Sequence, residues 1–99
     1  MNLLYTYQKF SIFQSDVTRS FQVDFAGKSV SMSFCELLSF REKLKRIDLQ
    51  KHFEGADSVE ILSLCNKRHL FIFDTLDIIQ LKELVRGAFI SMAYQNILV

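Results

Sequence analysis

The sequence predicts an α+β fold, an antiparallel sheet of about five strands with two helices, in the order β-β-β-α-β-β-α. Three observations carry this reading. Alternating apolar and polar residues flank a turn at Gly27-Lys28; β-branched and aromatic residues flank a second turn at Asn66-Lys67; and each pair of strands is followed by apolar residues at helical spacing.

The first element lies between Tyr5 and Gln14, where Tyr5, Tyr7, Phe10, Ile12 and Phe13 are aromatic or β-branched. The apolar phase slips between Tyr7 and Phe10, which predicts one strand carrying a bulge. From Phe21 to Phe34 the alternation is cleaner: Phe21, Val23, Phe25, Val30, Met32 and Phe34 oppose Gln22, Asp24, Ser29, Ser31 and Ser33. A hairpin with one face in water follows.

Ser33 and Glu36 have the spacing of a capping box, so a helix is expected to begin there. Leu37, Phe40, Leu44 and Ile47 give it an apolar stripe, and Gly55 offers a stop. Beyond Gly55, Val59, Ile61 and Cys65 alternate with Leu62 and Leu64, then Leu70 and Ile72 with Phe71 and Phe73. Both faces of this second hairpin are apolar, so it is expected to lie centrally or to turn its second face to a partner.

Asp77 with Gln80 suggests a cap for the last helix, whose stripe is Ile78, Leu81, Val85, Ala88 and Met92. From Ala88 to Tyr94 only Ser91 is polar, which predicts burial by more than one neighbour. The two hairpin-then-helix units suggest a ββα pseudo-repeat. In element order the chain resembles type III secretion chaperones without their first helix, a likeness of topology that carries no residue and no function.

With 99 residues and no proline, the chain is expected to form a single domain, 1–99. Its 49% hydrophobic content argues against disorder. Twelve basic and 11 acidic side chains nearly cancel, which lowers the expectation of nucleic-acid or membrane binding. Two cysteines are too few for a disulfide framework, and the segment Met1 to Tyr5 lacks the charged start of a signal peptide, so the expected compartment is the cytoplasm.

No residue set points to catalysis, a cofactor or a metal. Cys65 and His69 are four apart, but a two-residue turn between them puts them on opposite faces, and two ligands do not complete a tetrahedral site. Cys35, near a helix start, is the one thiol with support as a nucleophile, and it sits between Phe34 and Leu37, where packing is the simpler role. Asp74 and Asp77 could pair as acid and base, yet carboxylates at a helix start more commonly cap it. Phe10, Phe21 and Phe25, with Tyr5, Tyr7 and Phe13, could stack on bases, but alternate strand positions read more simply as core.

The surplus of apolar side chains leads to the functional expectation: a non-enzymatic homodimeric or partner-binding adaptor or regulatory module, without cofactor. Its expected interaction surface is Phe89, Ile90 and Tyr94 with Phe71 and Phe73. The alternative is a weak nucleic-acid binder using the basic segment from Arg41 to His52, with Arg41, Lys45, Arg46 and Lys51. Glu36, Glu42, Asp48 and Glu54 are interleaved with that segment and offset its field. An enzyme using Cys35, Asp74 or Asp77 is the third reading.

Overall fold

A computed structural model of the chain describes residues 1–15, 19–55 and 59–98, with 96–98 as backbone alone. The α+β class with antiparallel sheets is as predicted; the elements are more numerous. β1 (Asn2–Tyr7) and β2 (Phe10–Gln14) form a hairpin where the sequence suggests one bulged strand. The phase slip is a turn at Gln8-Lys9. It lacks the usual signature because Gln8, rather than Gly or Asn, adopts the positive φ, 57°. A bulge does occur, but earlier. Leu3 pairs with Phe13 and Tyr5 with Ile12, so Leu4 is the additional residue, and its side chain enters the core.

β3 (Phe21–Phe25) and β4 (Lys28–Met32) complete a four-stranded sheet in the order β1-β2-β3-β4. Their turn is Ala26-Gly27, one residue before the expected position, with φ of 55° and 105°. The Gly27 N–H donates to the Asp24 carboxylate at 2.8 Å, which favours this register. Val23 then faces Val30 and Phe21 faces Met32 on the core side, while Gln22, Asp24, Ser29 and Ser31 take the watery side, as the alternation predicts.

α1 (Phe34–Arg46) starts at the expected capping box: the Glu36 N–H donates to Ser33 Oγ at 3.1 Å, and the Ser33 N–H to the Glu36 carboxylate at 2.9 Å. The helix does not run on to Gly55. Ile47 turns extended and buries its side chain, and Asp48 caps a separate short helix, α2 (Leu49–Phe53), by accepting from the Gln50 N–H at 3.0 Å. Gly55, at φ 80°, follows its end as expected.

β5 (Val59–Leu64) and β6 (His69–Asp74) pair only with each other, as a second, two-stranded sheet. Leu64 and His69 are the last pair, and Cys65, Asn66 and Lys67 take positive φ of 55°, 57° and 68°. The loop is therefore the four residues 65–68, closed by the Arg68 N–H donating to the Cys65 carbonyl at 3.2 Å, and is wider than the two-residue turn expected at Asn66-Lys67. Asp74 caps α3 (Thr75–Leu98): the Asp77 N–H donates to its carboxylate at 2.7 Å and the Asp77 carboxylate accepts from the Asp74 N–H at 3.2 Å. The cap is therefore three residues earlier than Asp77, and the Asp74/Asp77 pair is a reciprocal capping box.

α3 lies across β1 and β2 and touches α1 and β6. Gly87 permits that approach, because a Cβ there would run into the Tyr5 ring. The side chain of Lys43 on α1 donates to the Ser63 carbonyl of β5, tying the second hairpin to the helices. The buried residues of both sheets and of α1 and α3 form one cluster, centred on Phe10, Ile12, Val23, Leu37, Phe40, Ile78, Leu81 and Leu84. The two ββα units share an order but not a setting: β3 and β4 belong to the four-stranded sheet, and β5 and β6 pair alone. With an added strand and an added helix, the element order departs from the one that prompted the likeness to the secretion chaperones.

Candidate functional site

In the β5–β6 hairpin, Ile61 pairs with Ile72 and Ser63 with Leu70, so Val59, Ile61, Leu70 and Ile72 share a face. That face points outward, and the four aliphatic side chains are 51 to 67% exposed. The expected partner surface included Phe71 and Phe73, and here the structure differs. Phe73 is only 4% exposed and Phe71 is half-buried. Their rings stack on each other with centroids 5.5 Å apart, and Phe71 lies 4.5 Å from Phe25. Period-2 alternation could not choose between two apolar faces. The choice is made by Phe10 and Phe25 across the core, which offer edge and tilted contacts to the rings of Phe71 and Phe73 rather than to aliphatic chains.

A second exposed apolar surface is a groove of about 470 Å³ between α1 and α3. Leu44, Val85, Phe89, Ile90 and Ala93 form its apolar part, and Arg41, Lys45, Lys82 and Arg86 its cationic part. The second half of α3 is thus not enclosed on all sides as its composition suggests: Ile90 is 55% and Tyr94 61% exposed. Phe89 and Ile90 from the expected interaction surface and Arg41 and Lys45 from the expected basic patch, read from sequence as rival sites, come together here. Tyr94, Arg46 and Lys51 do not line the groove. Lys82 and Arg86 were not singled out in the sequence, although their i, i+4 spacing beside the apolar run was a usable signal.

The cations are held unequally. The Arg41 guanidinium lies 4.2 Å from the Phe89 ring centroid; its Nε is buried without a hydrogen-bond partner, with the Glu42 carboxylate 4.0 Å away. Lys45 is 3.7 Å from Glu42. Lys82 donates to the Ile47 carbonyl at 3.0 Å, and Arg86 to the Glu83 carboxylate at 2.8 Å. That contact holds the Glu83 carboxyl below its ordinary range and raises the Arg86 guanidinium.

His52, read as part of the surface basic segment, has a fully buried side chain. Its Nδ1 is 2.7 Å from Thr75 Oγ1 and its Nε2 2.9 Å from Glu60 Oε1. Hydroxyl, imidazole and carboxylate stand in the sequence of a hydrolytic triad. None of the three lines the α1–α3 groove, and the network, with His52 buried and Thr75 and Glu60 partly exposed, joins α2, β5 and the start of α3 as a peg. The break after α1 and the pairing of Glu60 opposite Phe73 create it, and neither was readable as a local pattern.

Cys35 is exposed and Cys65 buried; burial, with Glu36 nearby, pushes the Cys65 thiol up, away from thiolate reactivity. Asp77, beyond its capping role, forms an ion pair with Lys9 at 2.7 Å. Among the described residues, no three His, Cys, Asp or Glu side chains are grouped to hold a metal ion, and no helix is long and apolar enough to cross a membrane. No protein-family profile matches the chain, and no curated protein or solved structure is significantly similar to it.

Proposed function

We propose that this chain is a non-enzymatic, protein-binding module that forms a homodimer through the outer face of the β5–β6 hairpin. The observation that carries the reading is that face. A two-stranded sheet is marginal by itself, and here one side is committed to the core while the other holds four large aliphatic residues in water. Together they expose on the order of 400 Å² of apolar surface, the size at which a contiguous patch marks an interaction site. Two such faces, with the side chains around them, approach the lower range of a specific interface, roughly 1,200 Å² in total. A self-complementary apolar face also suits the two-fold symmetry of most homodimers.

Cytoplasmic residence fits both thiols being free. Nucleic-acid binding through the basic segment has less support, because the helix breaks at Ile47 and Asp48 and His52 points inward, so Arg41, Lys45, Arg46 and Lys51 do not follow one helix. The test is the variant Ile61→Glu with Ile72→Glu. It should sediment as a monomer with unchanged far-ultraviolet dichroism where the parent protein is a dimer; a variant that stays dimeric removes the hairpin face from the proposal.

A further inference from the structure

We infer that the groove between α1 and α3 docks an acidic amphipathic helix of a partner protein. The groove shares no residue with the hairpin face, so this inference stands independently of the dimer. Cations are placed along both edges of an apolar floor. Arg41 and Lys45 are four apart on α1, and Lys82 and Arg86 are four apart on α3. Each pair is one helical turn long on its own helix, and the two pairs belong to opposite walls.

A single carboxylate, such as that of a fatty acid, calls for one cation. Two i, i+4 pairs, one on each wall, match a ligand with acidic groups along both flanks of an apolar stripe, which is the pattern of an amphipathic helix seated in a groove. The length is consistent with this. From Lys82 to Ala93 α3 rises roughly 16 Å at 1.5 Å per residue, room for about three turns of a docked helix.

The local carboxylates do not use up these cations. Glu42 and Glu83 stand beside the rim, two acids against four bases. Lys82 spends one of its three N–H groups on the Ile47 carbonyl. Arg41 is the least satisfied: its Nε lacks a hydrogen-bond partner, the Glu42 carboxylate stands 4.0 Å from it, and its guanidinium lies against the Phe89 ring. A carboxylate from the docked helix would pair with the guanidinium nitrogens other than the buried Nε, on a side chain that is 32% exposed. A second copy of this chain is a poor occupant: α1 and α3 carry the cations themselves, and α2 is only five residues long.

The experiment uses fluorescence anisotropy with a labelled 18-residue helical peptide bearing leucines at i, i+3, i+4 and i+7 and glutamates on both flanks. The peptide should bind this chain, weaken with added salt, and lose at least about tenfold in affinity with Arg41→Glu plus Arg86→Glu or with Ile90→Glu. A peptide with lysines in place of the glutamates should bind the charge-reversed protein and not the parent. The Ile61→Glu, Ile72→Glu variant should bind the acidic peptide as the parent does, which separates this test from that of the dimer. Thermal melts of each variant confirm folding, and Lys45→Glu serves as a milder alternative if a double reversal unfolds. No binding, equal binding of a scrambled peptide, indifference to the charge reversals, or a preference for anionic phosphatidylglycerol vesicles or single-stranded oligonucleotide would overturn the inference.

Discussion

The Arg41 guanidinium lies 4.2 Å from the centroid of the Phe89 ring, so a cation of α1 covers an aromatic residue of α3 at the wall of the groove. Phe34, at the start of α1, reaches the same ring with centroids 6.2 Å apart, so Phe89 is touched by α1 at two places. A partly desolvated cation over an aromatic face contributes about 0.5 to 2 kcal/mol. Urea unfolding of Arg41→Ala, Phe89→Leu and the double variant should show coupling of that order; strictly additive losses would mean that the contact contributes nothing.

Gly87 sits in the middle of α3, where alanine would ordinarily gain up to about 1 kcal/mol of helix stability. Here its missing Cβ is the space occupied by the Tyr5 ring. Gly87→Ala should therefore destabilise the chain, by about 1 to 3 kcal/mol for an overpacked contact. In a Tyr5→Ala background the same substitution should become neutral or stabilising, read as a reversal in the shift of the urea midpoint.

The His52 peg predicts a structural rather than a catalytic phenotype. Replacing His52 by Leu leaves the Thr75 hydroxyl and the Glu60 carboxylate without their partner, a loss of about 1 to 3 kcal/mol. Thermal denaturation measures it, and hydrogen exchange should show the junction of α2 with the start of α3 opening first. Unchanged stability in His52→Leu would show that the network carries no structural load.

The capping box makes α1 sensitive to acid. The Ser33 N–H, with help from the Cys65 thiol, the Ser33 hydroxyl and Arg68, holds the Glu36 carboxyl below its ordinary value of 4.5. Because the folded pKa is the lower one, the contribution is present above the unfolded value and is lost as pH falls through the folded one. Glu36 is partly exposed at the surface end of the capping box, so solvent screens its partners and the effect is small. Between pH 5 and 3, Glu36→Gln should lose less stability than the parent; parallel curves for the two proteins would contradict this assignment.

What was legible in the sequence was what a local pattern encodes. Ser33 and Glu36 announce a cap because both partners lie within one turn, and Asn66-Lys67 announces a hairpin because the flanking strands leave no alternative. The β1–β2 turn was hidden because Gln8 accepts a left-handed conformation without the composition that normally marks one. The orientation of the second hairpin was hidden for a different reason. Both of its faces are apolar, and only the distant rings of Phe10 and Phe25 decide that Phe71 and Phe73 turn inward and Ile61 and Ile72 outward. The groove is half visible in the sequence: each wall has its own local pattern, and the packing of α1 on α3 unites them.

The outward face of the β5–β6 hairpin is proposed to join two copies of the chain. Light scattering of the purified protein across a hundredfold range of concentration tests it most directly. The expected result is a mass of twice the 11.6 kDa of the chain, giving way to the monomer only on dilution. A mass of one chain throughout that range, with Ile61 and Ile72 open to solvent, would contradict it.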